Sequence, residues 1–510
     1  MRQKTIKLLS LVLLALFFTL PFVNRGQAQK AGRVWAPVVP KTWDNEAMAS
    51  LEVPLADESA SPVHASADYY YQIPVRPIYK SYPIYAPGKE PPGYFERLKE
   101  QAPEMVFDAA QLKTENDWIK AGEIVFDAPI AYDFIINPAY VRDAAWYQQT
   151  GTQQTKEGIV PFFRYVVREK GKVEVGWLGC AMCHIRVMPD GRAIKGAQGN
   201  FPFDRAIAFN IRATKPPLEG FRSGEIGLFG APWLKAESPE ARFATMSLDD
   251  FAAAHEAIPP GVIARHRSTI FEPVQVPDLI GVKDRRYLDR TGLQLHRSIA
   301  DLMRYAALNQ GGDDLARYGT LRPVENFFGG RFPESKELQR YSDEQLYALS
   351  LYLYALKPPP NPHRFDALAA RGRKVFEQQG CAVCHTPPLY TNNKLTPVEG
   401  FKVPEEHLKK YDILPITVGT DPTLTMKTRR GTGYYKVPSL KGVWYRGPFE
   451  HSGSVATLED WFDLRRIKDD YTATGFRGVG VKARAVKGHQ FGLNLSADDR
   501  HALIAFLKTL

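Results

Sequence analysis

The sequence predicts a mainly α-helical protein built from two tandem, related domains with long loops. Three kinds of segment recur in the same order in both halves of the 510-residue chain. The last segment of each half has apolar residues at helical spacing and begins at a serine suited to cap a helix. One shared segment could arise by chance, but three in one order indicate a duplicated domain.

The first repeated segment resembles a helix start, Gly122-Glu-Ile-Val-Phe126 in one half and Gly372-Arg-Lys-Val-Phe376 in the other. The second is Val276-Pro-Asp-Leu-Ile-Gly-Val282, which recurs as Val437-Pro-Ser-Leu-Lys-Gly-Val443. The third closes each half and begins at Ser342 and at Ser496. In the first half, Ser342-x-x-Gln345 fits a capping box, so both closing segments are predicted to be helices.

Between these segments, each half contains one C-x-x-C-H motif, and the two motifs use all four cysteines of the chain. They are Cys180-Ala-Met-Cys183-His184 and Cys381-Ala-Val-Cys384-His385. This spacing is typical of covalent c-type haem attachment. On a helix, positions i, i+3 and i+4 share one face, so two thiols could reach the two vinyl groups of a haem while the imidazole turns to its iron.

The alternatives to haem at these motifs are a zinc site and a thiol redox pair. Zinc would need further ligands near each cysteine pair, and a redox C-x-x-C does not require the histidine. We therefore predict two covalently bound haem c groups with His184 and His385 as proximal iron ligands, and two cytochrome-c-like domains around them.

The domain boundaries follow from the repeats. Residues 29–104 are rich in Pro and Tyr and are expected to form an extended N-terminal arm without regular structure of its own. The first cytochrome c domain is placed at 105–357, and the proline-rich segment 358–362 at a stiff linker. The second domain then covers 363–510 and ends with its closing helix.

Residues 1–28 resemble a secretory signal, with a basic start, an apolar run from Leu8 to Val23 and a small-x-small site at Gly26-Gln-Ala28. The apolar run is short for a membrane span, so cleavage after Ala28 and a periplasmic or secreted protein without a stable membrane span are predicted.

The formal net charge is +10, and four of the basic residues lie in the signal segment. No concentrated basic stripe indicates a nucleic-acid partner. Arg429-Arg430 and Arg465-Arg466 are interpreted as partners of haem propionates or as solvated surface.

The sixth ligand of each iron separates electron transfer from chemistry. His489 lies in a loop seven residues before the second closing helix, whereas the corresponding stretch Phe327–Tyr341 contains neither His nor Met. We therefore predict that the second haem has two histidine ligands, His385 and His489. The first haem is predicted to keep an open position, which makes His184 the ligand of the reactive iron.

Other residues are alternative candidates for the sixth iron ligand. Met426 and His451 are alternatives for the second haem. For the first haem, the candidates are His255, His266, His296 and Met303. Trp177, Trp444 and Tyr445 are candidates for electron relay or for simple packing, and Glu256, Gln294 and Gln310 are candidates for acid–base roles.

The two C-x-x-C-H motifs, the Val-Pro-Ser-Leu-Lys-Gly-Val segment followed by His451-Ser-Gly-Ser454, and the closing helix resemble the di-haem cytochrome c peroxidase superfamily. Within it, the segments Gly176–His184, Lys195–Phe201 and Asp301–Gln310 are most similar to the secreted rubber oxygenases, although this chain is shorter after its second haem motif. That resemblance implies an oxygen-binding N-terminal haem and a bis-His C-terminal haem. It also implies cleavage of poly(cis-1,4-isoprene) by dioxygen.

The sequence is therefore compatible with three functions. The first is an oxidoreductase whose N-terminal haem activates dioxygen or hydrogen peroxide, with polyisoprene or another hydrophobic compound as substrate. The second is a di-haem cytochrome c peroxidase that receives electrons from a redox partner protein. The third is a non-catalytic periplasmic electron carrier, in which both irons would have six ligands.

The motifs predict two covalent haems that survive denaturation. Intact-mass measurement should give the mass of the processed polypeptide plus two haems, and replacing Cys381 and Cys384 together by alanine should remove one haem. A protein with one haem, or with zinc, would contradict the prediction.

Overall fold

The computed structural model describes residues 35–231, 239–265, 268–319, 321 and 338–510. The signal segment 1–28, His266 and most of the stretch Phe327–Tyr341 lie outside the described residues, and so does the start of the arm.

Helices dominate the described part of the chain, as the sequence predicts. The α-helices in chain order are α1 (Asn45–Ala49), α2 (Ala67–Gln72), α3 (Tyr94–Lys99), α4 (Glu115–Asp127), α5 (Pro138–Val141), α6 (Ala144–Thr150), α7 (Cys180–His184), α8 (Phe203–Thr214), α9 (Leu218–Phe229), α10 (Leu248–Glu256), α11 (Ile299–Leu315), α12 (Asp343–Ala355), α13 (Ala367–Gln378), α14 (Glu405–Lys410), α15 (Thr423–Met426), α16 (Leu458–Trp461) and α17 (Ala497–Lys508). Short 3-10 helices cover Glu58–Ala60, Ala109–Gln111, Pro239–Ala244, Val282–Asp284, Cys381–Val383 and Leu464–Ile467.

The strands are short and antiparallel. They are β1 (Pro62–His64), β2 (Ser81–Tyr85), β3 (Ala131–Tyr132), β4 (Ile159–Glu169), β5 (Lys172–Trp177), β6 (Ile185–Val187), β7 (Ala193–Lys195), β8 (Val262–Ile263), β9 (Val274–Gln275), β10 (Tyr287–Leu288), β11 (Gln294–Leu295), β12 (Ala316–Tyr318), β13 (Leu395–Pro397) and β14 (Tyr434–Lys436). One sheet has four strands in the order β2-β4-β5-β3, and the others are two-stranded pairs.

The two halves share one helix-packing arrangement. Helix α4 packs against the closing helix α12, and α13 packs against the closing helix α17. At each crossing a glycine faces the partner backbone: a Cβ at Gly122 would overlap the carbonyl oxygen of Ala348, and one at Gly372 would overlap that of Ala502.

The aromatic contact beside the crossing recurs as well. The ring centroids of Phe126 and Tyr352 are 5.4 Å apart, and those of Phe376 and Phe506 are also 5.4 Å apart. These residues occupy matching positions of the repeated segments, so the sequence repeat corresponds to a repeated three-dimensional contact.

The prediction of helix starts at Gly122 and Gly372 is wrong. Both glycines lie in the middle of a helix. Helix α4 begins after Thr114, which forms a capping box with Asp117, and α13 begins after Asp366, whose side chain accepts from the backbone of Ala369. The glycines mark the closest approach of two helices, because only a residue without Cβ fits there.

The closing helices begin where the sequence predicts. Ser342 caps α12 and completes the capping box with Gln345. Ser496 caps α17 by accepting from the backbone of Asp499. After α12 the proline-rich segment 358–362 has no regular structure.

The expectation that the N-terminal arm lacks regular structure is wrong for residues 35–104. This segment contains three short α-helices, one 3-10 helix and two strands. Strand β2 pairs with β4 as an edge of the four-stranded sheet, and β1 pairs with β12. Pro83 is compatible with β2 because an edge strand needs no hydrogen bond on its outer side.

The largest apolar core lies in the first half, and it includes Trp43 and Tyr70 of the N-terminal segment together with Phe126, Trp146 and Leu349. A smaller core in the second half contains Phe376, Val443, Phe506 and other residues beside the second C-x-x-C-H motif. Among the described helices, none is long and apolar enough to cross a membrane.

The glycine contact generates a prediction about stability. Gly372→Ala should lower the free energy of unfolding by about 1–3 kcal/mol, because the added methyl group forces α13 and α17 apart. Chemical denaturation followed by circular dichroism measures this. As a control, Gly220→Ala in α9, where a Cβ would meet nothing within 4 Å, should be neutral or stabilising by up to about 1 kcal/mol. Equal effects at both sites would contradict the proposed packing role.

Candidate haem sites

The first C-x-x-C-H motif forms the short helix α7, as predicted, and β6 follows it at once. The Nδ1 atom of His184 lies 3.0 Å from the carbonyl oxygen of Pro277. Because a carbonyl oxygen only accepts, Nδ1 must carry the proton and Nε2 keeps its lone pair. This arrangement is the one expected of a histidine that binds a metal through Nε2.

The second motif differs in local structure from the prediction. Residues Cys381–Val383 form a 3-10 helix that begins after Gly380 in the left-handed region, with φ of 70°. The backbone of His385 still donates to the carbonyl of Cys381 over 2.9 Å. The prolines at 387 and 388 follow directly and cannot continue a helix, which explains the shorter turn.

The repeated Val-Pro segment lies beside both motif histidines. Nδ1 of His385 lies 3.2 Å from the carbonyl of Tyr390, and the backbone of Pro438 lines a cavity beside this histidine and acts on its pKa. Pro438 matches Pro277, the partner of His184, in the sequence repeat. The sequence repeat does not indicate this position of the segment, because a backbone carbonyl has no side-chain signature.

The structure brings His489 to the second motif. The ring centroids of His385 and His489 are 6.3 Å apart and the rings are inclined at 61°. This separation leaves room for one metal ion bound to both imidazoles at about 2 Å from each nitrogen. A cavity lies beside them, and among its lining residues are Cys381, Cys384, Val437, Leu440, Trp461 and Leu507. The donors and the mainly apolar cradle fit a haem.

Burial keeps all three imidazoles uncharged at neutral pH. It lowers the pKa of His184 to about 4 and that of His489 to about 3, where the neighbouring His385 and Arg466 add to the effect. Burial also lowers the pKa of His385. A neutral imidazole is the form that binds iron.

The loop that carries His489 is held by a fully buried arginine, Arg466. Its guanidinium donates to the carbonyls of Trp461, Val486, Gly488 and His489 over 2.5–3.0 Å. His489 itself adopts a left-handed backbone with φ of 45°. The interpretation of Arg466 as a propionate partner or a solvated residue is therefore wrong, because its donors are directed to main-chain oxygens.

The other three arginines singled out in the sequence are also engaged with protein groups. Arg465 forms an exposed ion pair with Asp463 at 2.7 Å, which matches the solvated alternative. Arg429 donates to the carbonyls of Gly227 and Leu228, and Arg430 forms a buried ion pair with Asp289. A propionate role is therefore not supported for these arginines.

The two alternative ligands of the second haem have surroundings that differ from those of His489. Met426 is 36% exposed on α15 and is not part of the cavity wall. His451 lines the cavity but stacks on Tyr435 with 4.7 Å between centroids, and its Nδ1 contacts the Glu450 carboxylate.

Two of the candidates for the first haem have both ring nitrogens engaged. His296 lies 2.7 Å from the carbonyl of Arg285 and 2.7 Å from the hydroxyl of Tyr354. His255 is fully buried between the carboxylates of Asp204 and Glu225, at 2.9 Å and 3.6 Å. Burial lowers the pKa of His255, but these two acids outweigh it and raise the value to about 9. A protonated imidazole has no lone pair for iron.

The remaining first-half candidates divide by position. Met303 is fully buried in the main apolar core. Gln310 lies beside the first motif, with Nε2 at 3.9 Å from the sulfur of Cys180. The other two acid–base candidates lie elsewhere, since Glu256 forms an ion pair with Arg212 and Gln294 donates to Glu52.

The aromatic candidates are packed within the protein. Trp177 donates to the carbonyl of Asp133 over 2.6 Å. Tyr445 donates to Asp278 over 2.9 Å, and its ring lies 5.1 Å from that of Trp444. Asp278 directly follows Pro277, the partner of His184, so Tyr445 lies close to the first site. An electron-relay role for these residues stays a prediction.

Comparisons with known proteins give a weak relationship. No protein-family model matches the chain. The cytochrome-c peroxidase IdrP1 of Denitromonas iodatirespirans is 26% identical over 213 residues, which cover 36% of this chain and 52% of that protein. The chain therefore spans about half the length of this relative.

Among solved structures, Kuenenia stuttgartiensis hydrazine synthase pressurized with xenon aligns with a TM-score of 0.29 and 17% identity, over 57% of this chain and 87% of the other. A MauG-like protein associated with microbial copper homeostasis aligns with a TM-score of 0.21 and 23% identity, over 33% and 56%. TM-scores this low do not establish a shared fold. The chain thus has weak sequence similarity to a cytochrome-c peroxidase.

The contacts of Arg466 generate a prediction. Arg466→Lys should destabilise the protein by about 1–3 kcal/mol, because a lysine ammonium cannot reach all four buried carbonyls. Amide hydrogen exchange should accelerate at His489, whose N–H donates to the carbonyl of Val418. Arg465→Lys, the same change one residue earlier at the surface, should alter neither property. If amide hydrogen exchange at His489 is unchanged in Arg466→Lys, Arg466 does not hold this loop in place.

Proposed function

We propose that the chain is a di-haem c-type cytochrome oxidoreductase with one reactive haem and one electron-transferring haem. The observation that carries the proposal is the pair of neutral imidazoles of His385, which is buried, and His489, which is half-buried, with ring centroids 6.3 Å apart beside the second cysteine pair. The first cysteine pair has His184 with a free Nε2, while His255 and His296 are committed to other partners.

When bound, haem supplies one-electron transfer at an iron with two protein ligands, and oxidant activation at an iron with a free position. The protein's part at the second site is to hold two neutral imidazoles, inclined at 61° to each other, in a mainly apolar cavity. Its part at the first site is to fix His184 through Pro277 and to surround the cysteines with Arg265 and Gln310, whose nitrogens lie 3.8 Å and 3.9 Å from their sulfurs.

The oxidant is proposed to be hydrogen peroxide or dioxygen. Similarity to a cytochrome-c peroxidase supports peroxide, with a redox partner protein as electron source. The resemblance to rubber oxygenases supports dioxygen acting on polyisoprene or another hydrophobic compound. The secretory signal supports a periplasmic or secreted location, the compartment in which haem is attached to C-x-x-C-H motifs.

A non-catalytic electron carrier is the competing function. It would need a second protein ligand at the first iron as well. The remaining candidates are Met303, which is buried in the main apolar core, and His266, which lies outside the described residues. An external ligand therefore distinguishes the carrier from the enzyme.

The ligand assignment predicts two different haem spectra. The oxidised protein should contain one low-spin haem with two histidine ligands, and His489→Ala should convert that haem to high spin. Electron paramagnetic resonance measures this change. A spectrum that is unaffected by His489→Ala but altered by Met426→Ala would show a His/Met pair instead.

The open first site has its own test. Carbon monoxide or cyanide should bind the haem at Cys180 and Cys183 readily and the other haem poorly. Turnover is then measured with peroxide and a reduced donor, and with dioxygen and polyisoprene. If neither haem accepts an external ligand in any redox state, the enzyme hypothesis is wrong and the protein is an electron carrier.

A further inference from the structure

Three cationic side chains line the cavity beside His385 and His489: Arg290, Lys436 and Arg446. Lys436 and Arg446 belong to the second half of the chain. Arg290 comes from the first half, where it follows strand β10, and its carbonyl accepts from the backbone of Lys436 over 3.1 Å. The cavity wall of the second site therefore carries three positive charges from both halves.

The acids near these cations do not balance their charge. Asp289 forms a buried ion pair with Arg430. Asp278 accepts a hydrogen bond from Tyr445 and lies 4.0 Å from Nε of Arg446. Glu450 also lines the cavity, but its carboxylate contacts His451 and accepts from Ser452.

The cations themselves lack anionic hydrogen-bond partners. Lys436 donates to the carbonyl of Tyr287 over 3.2 Å, and Arg446 donates to the carbonyl of Ser439 over 2.7 Å. The Nε atoms of Arg290 and Arg446 are buried without a hydrogen-bond partner. A buried charge is costly unless it is paired.

Burial and mutual repulsion are visible in the acidity of these groups. Burial, together with the nearby Arg446 and Arg285, lowers the pKa of Arg290 to about 9. Burial and the charges of Arg285 and Arg290 lower the pKa of Lys436 well below its ordinary value. Negative charge placed among them would remove this penalty.

We propose that Arg290, Lys436 and Arg446 form a carboxylate-binding site for the two propionates of the haem attached at Cys381 and Cys384. The inference rests on the proposed function, because it assumes that a haem occupies this cavity. It goes further by assigning the acid-binding residues and by making the first half contribute one of them. Loading of the second haem would then join the two halves through Arg290.

The test is the reduction potential of the low-spin haem in the holoprotein, measured by spectroelectrochemistry. Arg290→Gln should shift it to a more negative value, because removing a nearby positive charge favours the oxidised iron. Lys436→Met should shift it in the same direction. In Arg290→Gln the potential should also become more pH-dependent near neutrality, since an unpaired propionate binds a proton more readily.

The matched control is Arg286→Gln, which removes the same charge from the same segment. Arg286 is exposed at the surface and pairs with Asp412 at 2.5 Å. The reduction potential of the low-spin haem in Arg286→Gln should equal that of the wild type. An unchanged low-spin spectrum in all variants verifies that His385 and His489 remain in place.

The outcomes separate the two hypotheses. A low-spin wild-type haem whose potential is the same in Arg290→Gln and Lys436→Met overturns the propionate site and leaves the proposed function intact. Equal shifts in Arg290→Gln and Arg286→Gln also overturn it, because the effect would then be a general one of net charge. Absence of low-spin haem from the wild type overturns the proposed function itself. If Arg290→Gln does not fold, Lys436→Met alone decides, by a negative shift or by none.

Discussion

Both candidate sites depend on a hydrogen bond from a histidine Nδ1 to a backbone carbonyl. An imidazole has two similar nitrogens, and a neutral ring can present either one as the lone pair. The carbonyls of Pro277 and Tyr390 remove this freedom by accepting from Nδ1 of His184 and His385. The C-x-x-C-H turns place the rings, and the first Val-Pro segment and the loop at Tyr390 place the acceptors at hydrogen-bonding distance.

The two halves are related in sequence but are not independent in structure. Gln275 and Arg290 of the first half line the cavity of the second. Gln198 of the first half accepts from the backbone of Gly447 and donates to the carbonyl of Pro448. Each half supplies its own C-x-x-C-H cysteines and histidine, whereas the surroundings of the second site are assembled from both. Substitutions of these first-half residues should therefore alter the second site.

The sequence predicted the features that reside in side chains at fixed spacing. The C-x-x-C-H motifs, the serine caps of α12 and α17 and the nearness of His489 to His385 are of this kind. Features that depend on main-chain hydrogen bonds or on close backbone contacts were not predicted. The carbonyls that Arg466 binds and the pairing of β2 with β4 leave no pattern of residue types. The helix start predicted at Gly122 is wrong because glycine is common both at helix boundaries and at close helix contacts. The Pro- and Tyr-rich composition of the arm likewise hid strands of only three and five residues.

The way Arg466 recognises the His489 loop has a consequence for evolution. Because its guanidinium contacts main-chain oxygens, these hydrogen bonds do not depend on the side chain at 487, which is exposed. Val486 is constrained separately, because its side chain is buried in a small apolar cluster with Val455 and Ala473. Gly488 is constrained as well, because its φ of 77° and its closeness to Gly419 leave no space for a Cβ. Among divergent homologues, a loop of this kind would be traced by the histidine, the glycine before it and one distant arginine, while exposed positions such as 487 vary.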